Sequence, residues 1–149
     1  MLDRSAIASR IPHQGDMCLL DAVIDWNPAT IRCTSASHRQ PTHPLAGANG
    51  RLGIAAGIEY ADQAMALHGG LLAGDGAPPR QGYLISLRGV NFHVTHLDDQ
   101  AGELLVEAER LSGDAAQVLY AFRVSAAGRA LVDGRAAVVL DADAIGSGR

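Results

Sequence analysis

The sequence predicts an α+β domain in which a mostly antiparallel sheet curls around one long helix. Three observations lead there. One segment, from about Ile54 to Leu72, is apolar or small on nearly every side, as a helix enclosed in a core must be. Four strand-like segments follow it, separated by turn signals. No second long helix is available to cover a sheet, so helix and strands are segregated rather than alternating. A chain of 149 residues suits a single domain, 1–149, with a sizeable core.

The elements follow in order. Met17 to Trp26 is a mostly apolar run, a strand or a short buried helix, ended by the Asn27-Pro28-Ala29 turn. Thr30–Ser35 alternates and is β-rich, so it reads as a strand. Residues 38–53 carry Pro41, Pro44, Gly47, Asn49, Gly50 and Gly53, a long irregular loop of the kind that often carries function. In the helix, Ile58, Met65 and Leu72 form one stripe, and Glu59 and Gln63 share a neighbouring face. Its many Ala and Gly residues allow another backbone to approach closely. Residues 73–82 form a surface loop. Strands are expected over Tyr83–Val94, over Glu103–Leu111 with Leu104, Val106 and Ala108 on one face, around Val118, Tyr120, Phe122 and Val124, and from Ala130 to Leu140. Ser112-Gly113-Asp114 and Ala126-Ala127-Gly128 read as hairpin turns.

Composition narrows the function. A net charge of −4 argues against nucleic acid as the main partner. No apolar run reaches membrane-spanning length, which argues against a membrane protein. The start of the chain lacks the basic-then-apolar layout of a signal peptide, so a cytoplasmic location is expected. Cys18 and Cys33 fit no metal spacing and read as reduced core thiols. All twelve basic residues are Arg.

Glu59 is the residue that stands out. A carboxylate in a helix apolar on nearly every side must be paired, at a cleft, or buried at a cost. His43, sixteen positions upstream in Thr42-His43-Pro44-Leu45, is the candidate to meet it, with His38 as its rival. A convergent His and Glu are the minimal kit for moving protons. His68 lies about 180° around the helix from Glu59 and reads as structural. His93 and His96 face opposite sides of a strand, and no third ligand is evident, so no metal site is expected. His13 reads as a polar contact near the N-terminus or a residue shaping a site entrance.

Three segments resemble the hotdog-fold β-hydroxyacyl-acyl-carrier-protein dehydratases. Ile11-Pro12-His13 with Leu19-Leu20-Asp21 and Val23 is similar to the family's opening motif. Glu59 with Gln63 is similar to its Glu-x-x-x-Gln on the central helix. Gly82-Tyr83-Leu84 followed by Phe92 is similar to the strand after that helix. The nearest likeness is to short stand-alone dehydratases of polyketide-like and aryl-polyene assembly. The family's Gly-His-Phe-Pro-Gly-x-Pro run appears only as Thr42-His43-Pro44-Leu45-Ala46-Gly47, and its Pro-Gly at the helix start has no exact counterpart, with Gly53 or Gly57 the stand-ins.

The resemblance implies a dehydratase that converts a 3-hydroxyacyl thioester, carried on an acyl-carrier protein or coenzyme A, to the trans-2-enoyl thioester. His43 would take the C2 proton, and a protonated Glu59, its pKa raised by burial, would protonate the leaving hydroxyl. Backbone amides near Gly53 and Gly57 would hold the thioester oxygen, and Gln63 would orient Glu59 or cap a neighbouring backbone group. No metal or organic cofactor is implied. Arg80 and Arg88 are candidates to meet an acidic carrier protein, with scattered surface charge the commoner reading. A homodimer, or a higher assembly of dimers, is expected, with sheets joined edge to edge and each site shared between chains. A hotdog acyl thioesterase and a non-catalytic acyl-binding subunit are the other readings.

Overall fold

In the computed structural model, residues 1–74, 83–114 and 116–139 are described. Arg80, Gly82, the turn signals of the 73–82 loop beyond Gly74, and Leu140 lie outside them. The chain begins with a two-residue strand β1 (Leu2–Asp3) and a short helix α1 (Arg4–Ala8), neither of which periodicity predicts. The Asp3 side chain caps α1, accepting from the Ala6 amide at 2.9 Å. α1 matters because Ile7 and the following Ile11 are fully buried and fasten the N-terminal segment to the core.

Strands β2 (Ala22–Trp26) and β3 (Thr30–Ser35) form a hairpin, then helix α2 (Ala56–Ala73) crosses the interior. Strands β4 (Tyr83–Phe92), β5 (Leu104–Gly113), β6 (Gln117–Ala126) and β7 (Arg129–Val139) complete a seven-stranded sheet of order β1-β2-β3-β5-β6-β7-β4, every pairing antiparallel. α2 packs on β3, β5, β6 and β7. The period-2 pattern decides which side faces it. Leu104, Val106 and Ala108 of β5 and Val118, Tyr120, Phe122 and Val124 of β6 are buried, as their alternation predicts. This is the hotdog architecture, a sheet wrapped around one long helix.

The opposite face of the sheet carries an alternating charge ladder. In cross-strand register stand Asp25, Arg32, Glu107, Arg123 and Asp133, one from each of five neighbouring strands. Opposite charges facing each other across a sheet favour that register over a slipped one. The β6–β7 turn is a two-residue connection in which Ala127 and Gly128 both have positive φ, the backbone twist such hairpins need.

The small residues of α2 serve this chain's own packing. A Cβ on Gly57 would lie 2.9 Å from Val132 Cγ1, and one on Gly70 would lie 3.1 Å from the Arg10 carbonyl oxygen. These two glycines therefore admit β7 and the N-terminal segment. Of the expected Ile58–Met65–Leu72 stripe, only Met65 is fully buried, while Leu72 is exposed. The buried face instead runs through Tyr60, Ala61, Gln63, Ala64, Leu67 and His68.

Candidate active site

Glu59 lies in the first turn of α2, and the residue it meets is His13: Nε2 stands 3.2 Å from Oε1. His13 arrives from the loop between α1 and the 3₁₀ turn Gly15–Met17. That loop is stiffened by Pro12 and tied down by Gln14, whose amide donates to the carbonyls of Ala8 and Ile11 at 2.9 and 3.2 Å. Gln63, fully buried one turn after Glu59, clamps the next segment. Its Oε1 accepts from the Leu19 amide at 2.9 Å, and its Nε2 donates to the Met17 carbonyl at 2.6 Å. The opening motif and the Glu-x-x-x-Gln motif are thus two halves of one constellation, joined by backbone hydrogen bonds.

Replacing Gln63 with Ala leaves the buried Leu19 amide without its partner, which costs about 1–3 kcal/mol, and also frees the part-buried Met17 carbonyl. The expected result is a clear fall in denaturant midpoint at unchanged m-value.

Electrostatics reverse the sequence expectation for Glu59. Its carboxyl is held below the usual range, chiefly by the hydrogen bond with His13, which outweighs desolvation. His13 moves up, chiefly through the same bond. The two stabilise each other's charged forms, imidazolium beside carboxylate. Asp62, three residues on and on the same helix face, is pushed up to about 6 by burial and by the charge of Glu59. Sequence reading missed Asp62, although a second acid at i+3 in so apolar a helix was a visible signal. It also set His13 aside, because nothing local says that a residue 46 positions before Glu59 sits on it. Among the described residues, the buried Nδ1 atoms of His13 and His38 have no hydrogen-bond partner.

His43 is seated elsewhere. Its Nδ1 accepts from the Leu45 amide at 3.0 Å, so its Nε2–H donates to Tyr60 Oη at 2.9 Å. Tyr60 donates to Ser37 Oγ at 2.6 Å, and Ser37 donates to the Leu19 carbonyl at 2.9 Å. The one lone pair of the neutral ring is already engaged, and burial lowers the pKa further. Tyr60 follows Glu59 directly, so the two side chains leave α2 about 100° apart. Within one chain, the ring that reaches Tyr60 does not face Glu59.

His38 donates from Nε2 to the Gln100 carbonyl at 3.0 Å. His68 is structural, as predicted: it is fully buried, with Nε2 on the Asn27 carbonyl at 2.8 Å and Nδ1 on Tyr120 Oη at 2.7 Å.

At the start of α2, the amide of Gly57 donates to the Ile54 carbonyl at 2.9 Å and that of Ala56 to the Gly53 carbonyl at 3.1 Å. Gly57 therefore acts in packing. Gly53 bridges to His96, and no backbone hydrogen bond is made by its own amide or by that of Ala55 among the described residues. His13, Glu59 and Asp62 offer ligand atoms within 4.8 Å of one another.

The fold defines a hotdog-type protein, with a His–Glu pair at the start of its helix. The sequence profile of the ApeP-like family, described as ApeP dehydratase, matches residues 5–145, and the chain belongs to that family. Among solved structures it is similar to the dehydratase heterocomplex ApeI:P from Xenorhabdus doucetiae, at 22% identity and a TM-score of 0.81, covering 97% of this chain and 94% of that one. It is similar in fold to zebrafish thioesterase superfamily member 2, at 14% identity and a TM-score of 0.61, covering 92% of each chain. A thioesterase family protein from Silicibacter pomeroyi matches at 14% identity and a TM-score of 0.57, covering 79% of this chain and 82% of that one. No curated protein sequence matches the chain significantly.

Proposed function

We propose that this protein dehydrates a 3-hydroxyacyl thioester, borne on an acyl-carrier protein or coenzyme A, and that His13 and Glu59 move the protons. The observation that carries the reading is the 3.2 Å contact between them, made by two residues from the motifs that define the dehydratase resemblance. The pair begins with one proton, as imidazolium and carboxylate. Glu59 takes the C2 proton, the C2 electron pair forms the double bond, and the C3–O bond breaks. His13 gives its proton to the departing hydroxyl, so that water leaves. The pair again holds one proton, now on Glu59, and passing it across the contact resets the site. His13 thereby takes the place expected of His43. The uncommitted amides of Gly53 and Ala55, at the N-terminal end of α2, supply donors for the enolate oxygen, where the helix dipole adds to their effect.

The test is a coupled pair of measurements on 3-hydroxyacyl and crotonyl thioesters, following enoyl absorbance and free thiol. An absorbance change without thiol release supports dehydration. Thiol release without an enoyl signal would move the assignment to thioester hydrolysis.

The free edge of β4 supports a dimer, with a second copy or another hotdog chain. β4 pairs only with β7 among the described residues, and Ile85, Leu87 and Phe92 on it are 51%, 38% and 50% exposed. A ten-residue edge strand with one side unpaired, beside apolar side chains, invites strand pairing. Changing Ile85 and Leu87 together to Arg is expected to convert the assembly to monomer at micromolar concentration, as read by sedimentation velocity. A wild-type protein that is itself monomeric there would remove the proposal.

A further inference from the structure

The outward face of the sheet breaks its own charge rule at one place. One row along from the ladder, Arg88 of β4 stands directly opposite Arg135 of β7. Side chains so paired have Cβ atoms roughly 5 Å apart, and like charges there repel. The next residue in that row is Ala121, followed by Glu109, so the nearest carboxylate across the sheet lies two strands from Arg135, roughly 10 Å away. Along β7, Asp133 is two residues from Arg135, but it already accepts from Asn91 at 3.0 Å and His93 at 2.8 Å. Neither arginine makes an ion pair among the described residues.

Both arginines line a surface hollow of about 370 Å³. Ser86, Ser112 and Gln117 stand around it, Leu119 and Ala137 complete the lining, and no carboxylate is among these residues. This hollow therefore offers two positive charges and three neutral polar side chains, while Asp133, engaged by Asn91 and His93, borders the adjoining hollow of about 690 Å³ that the same arginines line. Paired guanidinium groups of this kind recognise a tetrahedral oxyanion, each by parallel N–H donors. We propose that the Arg88–Arg135 hollow is a binding site for a phosphate group, free or as the ester of a larger ligand. It lies on the face of the sheet opposite α2, and it is independent of the dehydratase reading, because binding is measured without turnover.

The experiment is a thermal-shift and calorimetric titration of the full chain with inorganic phosphate, coenzyme A and pantetheine, against chloride at equal ionic strength. Wild-type protein is expected to be stabilised by inorganic phosphate, by coenzyme A, or by both, and not by pantetheine through these arginines. R88Q and R135Q are each expected to weaken that binding about tenfold or more, the loss typical of one charge-assisted hydrogen bond. Without ligand and at low salt, R135Q should melt no lower than wild type, since it relieves a like-charge contact; this separates loss of binding from loss of fold. A response confined to inorganic phosphate assigns a free anion, and one that includes coenzyme A assigns a phosphate ester. No phosphate-dependent shift beyond chloride, or equal affinity in wild type and both variants, would overturn the site.

Discussion

Glu59→Gln is expected to reduce dehydration of a 3-hydroxyacyl thioester about 10²–10⁴-fold, the span typical of a positioned acid–base group. The substitution keeps the size and shape of the side chain and removes only its ability to hold or take a proton. Glu59 is half-buried and rests at the edge of α2, so the fold should survive. The variant also changes its partner. The bond to Glu59 is the main cause of the raised His13 pKa, and without it desolvation pulls the imidazole down. Residual activity should therefore lose its alkaline limb at lower pH than the wild type. Steady-state kinetics across pH 5 to 9 read both effects, and near-normal turnover in Glu59→Gln would remove the carboxylate from the reaction.

The second large effect separates the two histidines. His13→Asn should lose turnover on the scale of Glu59→Gln while staying folded. His43→Asn should instead lose stability by about 1–3 kcal/mol, because the Leu45 amide and the Tyr60 hydroxyl lose a buried partner. Their pH dependences have opposite signs. The raised pKa of His13 means that its contribution to stability is full below its ordinary value of 6.5 and is lost as pH rises through the folded value. The lowered pKa of His43 means that its contribution is full above 6.5 and is lost as pH falls toward the folded value. Melting temperatures should accordingly show the cost of His13→Asn growing toward pH 5 and that of His43→Asn growing toward pH 8. Full activity in His13→Asn, with loss in a well-folded His43→Asn, would return the catalytic role to His43.

The wild-type pH–rate profile follows from the same pair. Activity needs one shared proton, so it should hold level between the lowered carboxyl and the raised imidazole, falling in acid as Glu59 protonates and in alkali as His13 loses its proton. A profile centred on a single group of ordinary histidine pKa would not fit a coupled pair.

Much of the fold was legible because it rests on local periodicity. β3 occupies the residues 30–35 that its alternation indicates, and α2 begins and ends within two residues of the expected limits. β5 and β6 bury the side chains their period-2 pattern selects. α1, only five residues long, is too short to show a helical repeat, although Asp3 carried a capping signal. Glu59 was legible as an acid out of place, and Gln63 as its neighbour on the helix. Asp62 was overlooked on the same helix face.

By itself the sequence determined β3, the strands after the helix, the one enclosed helix and the carboxylate at its start, since each is written in spacing within one segment. Which imidazole of the same chain meets that carboxylate was decided only in three dimensions. His43 is the nearer in sequence, but the 100° step from Glu59 to Tyr60 and the Leu45 amide turn its ring into a hydrogen-bond chain ending at Leu19. His13 is the more distant, and the Gln63 clamp on Met17 and Leu19 helps bring its segment over Glu59. Such contacts depend on backbone groups brought together by burial, and no pattern of residue types encodes them.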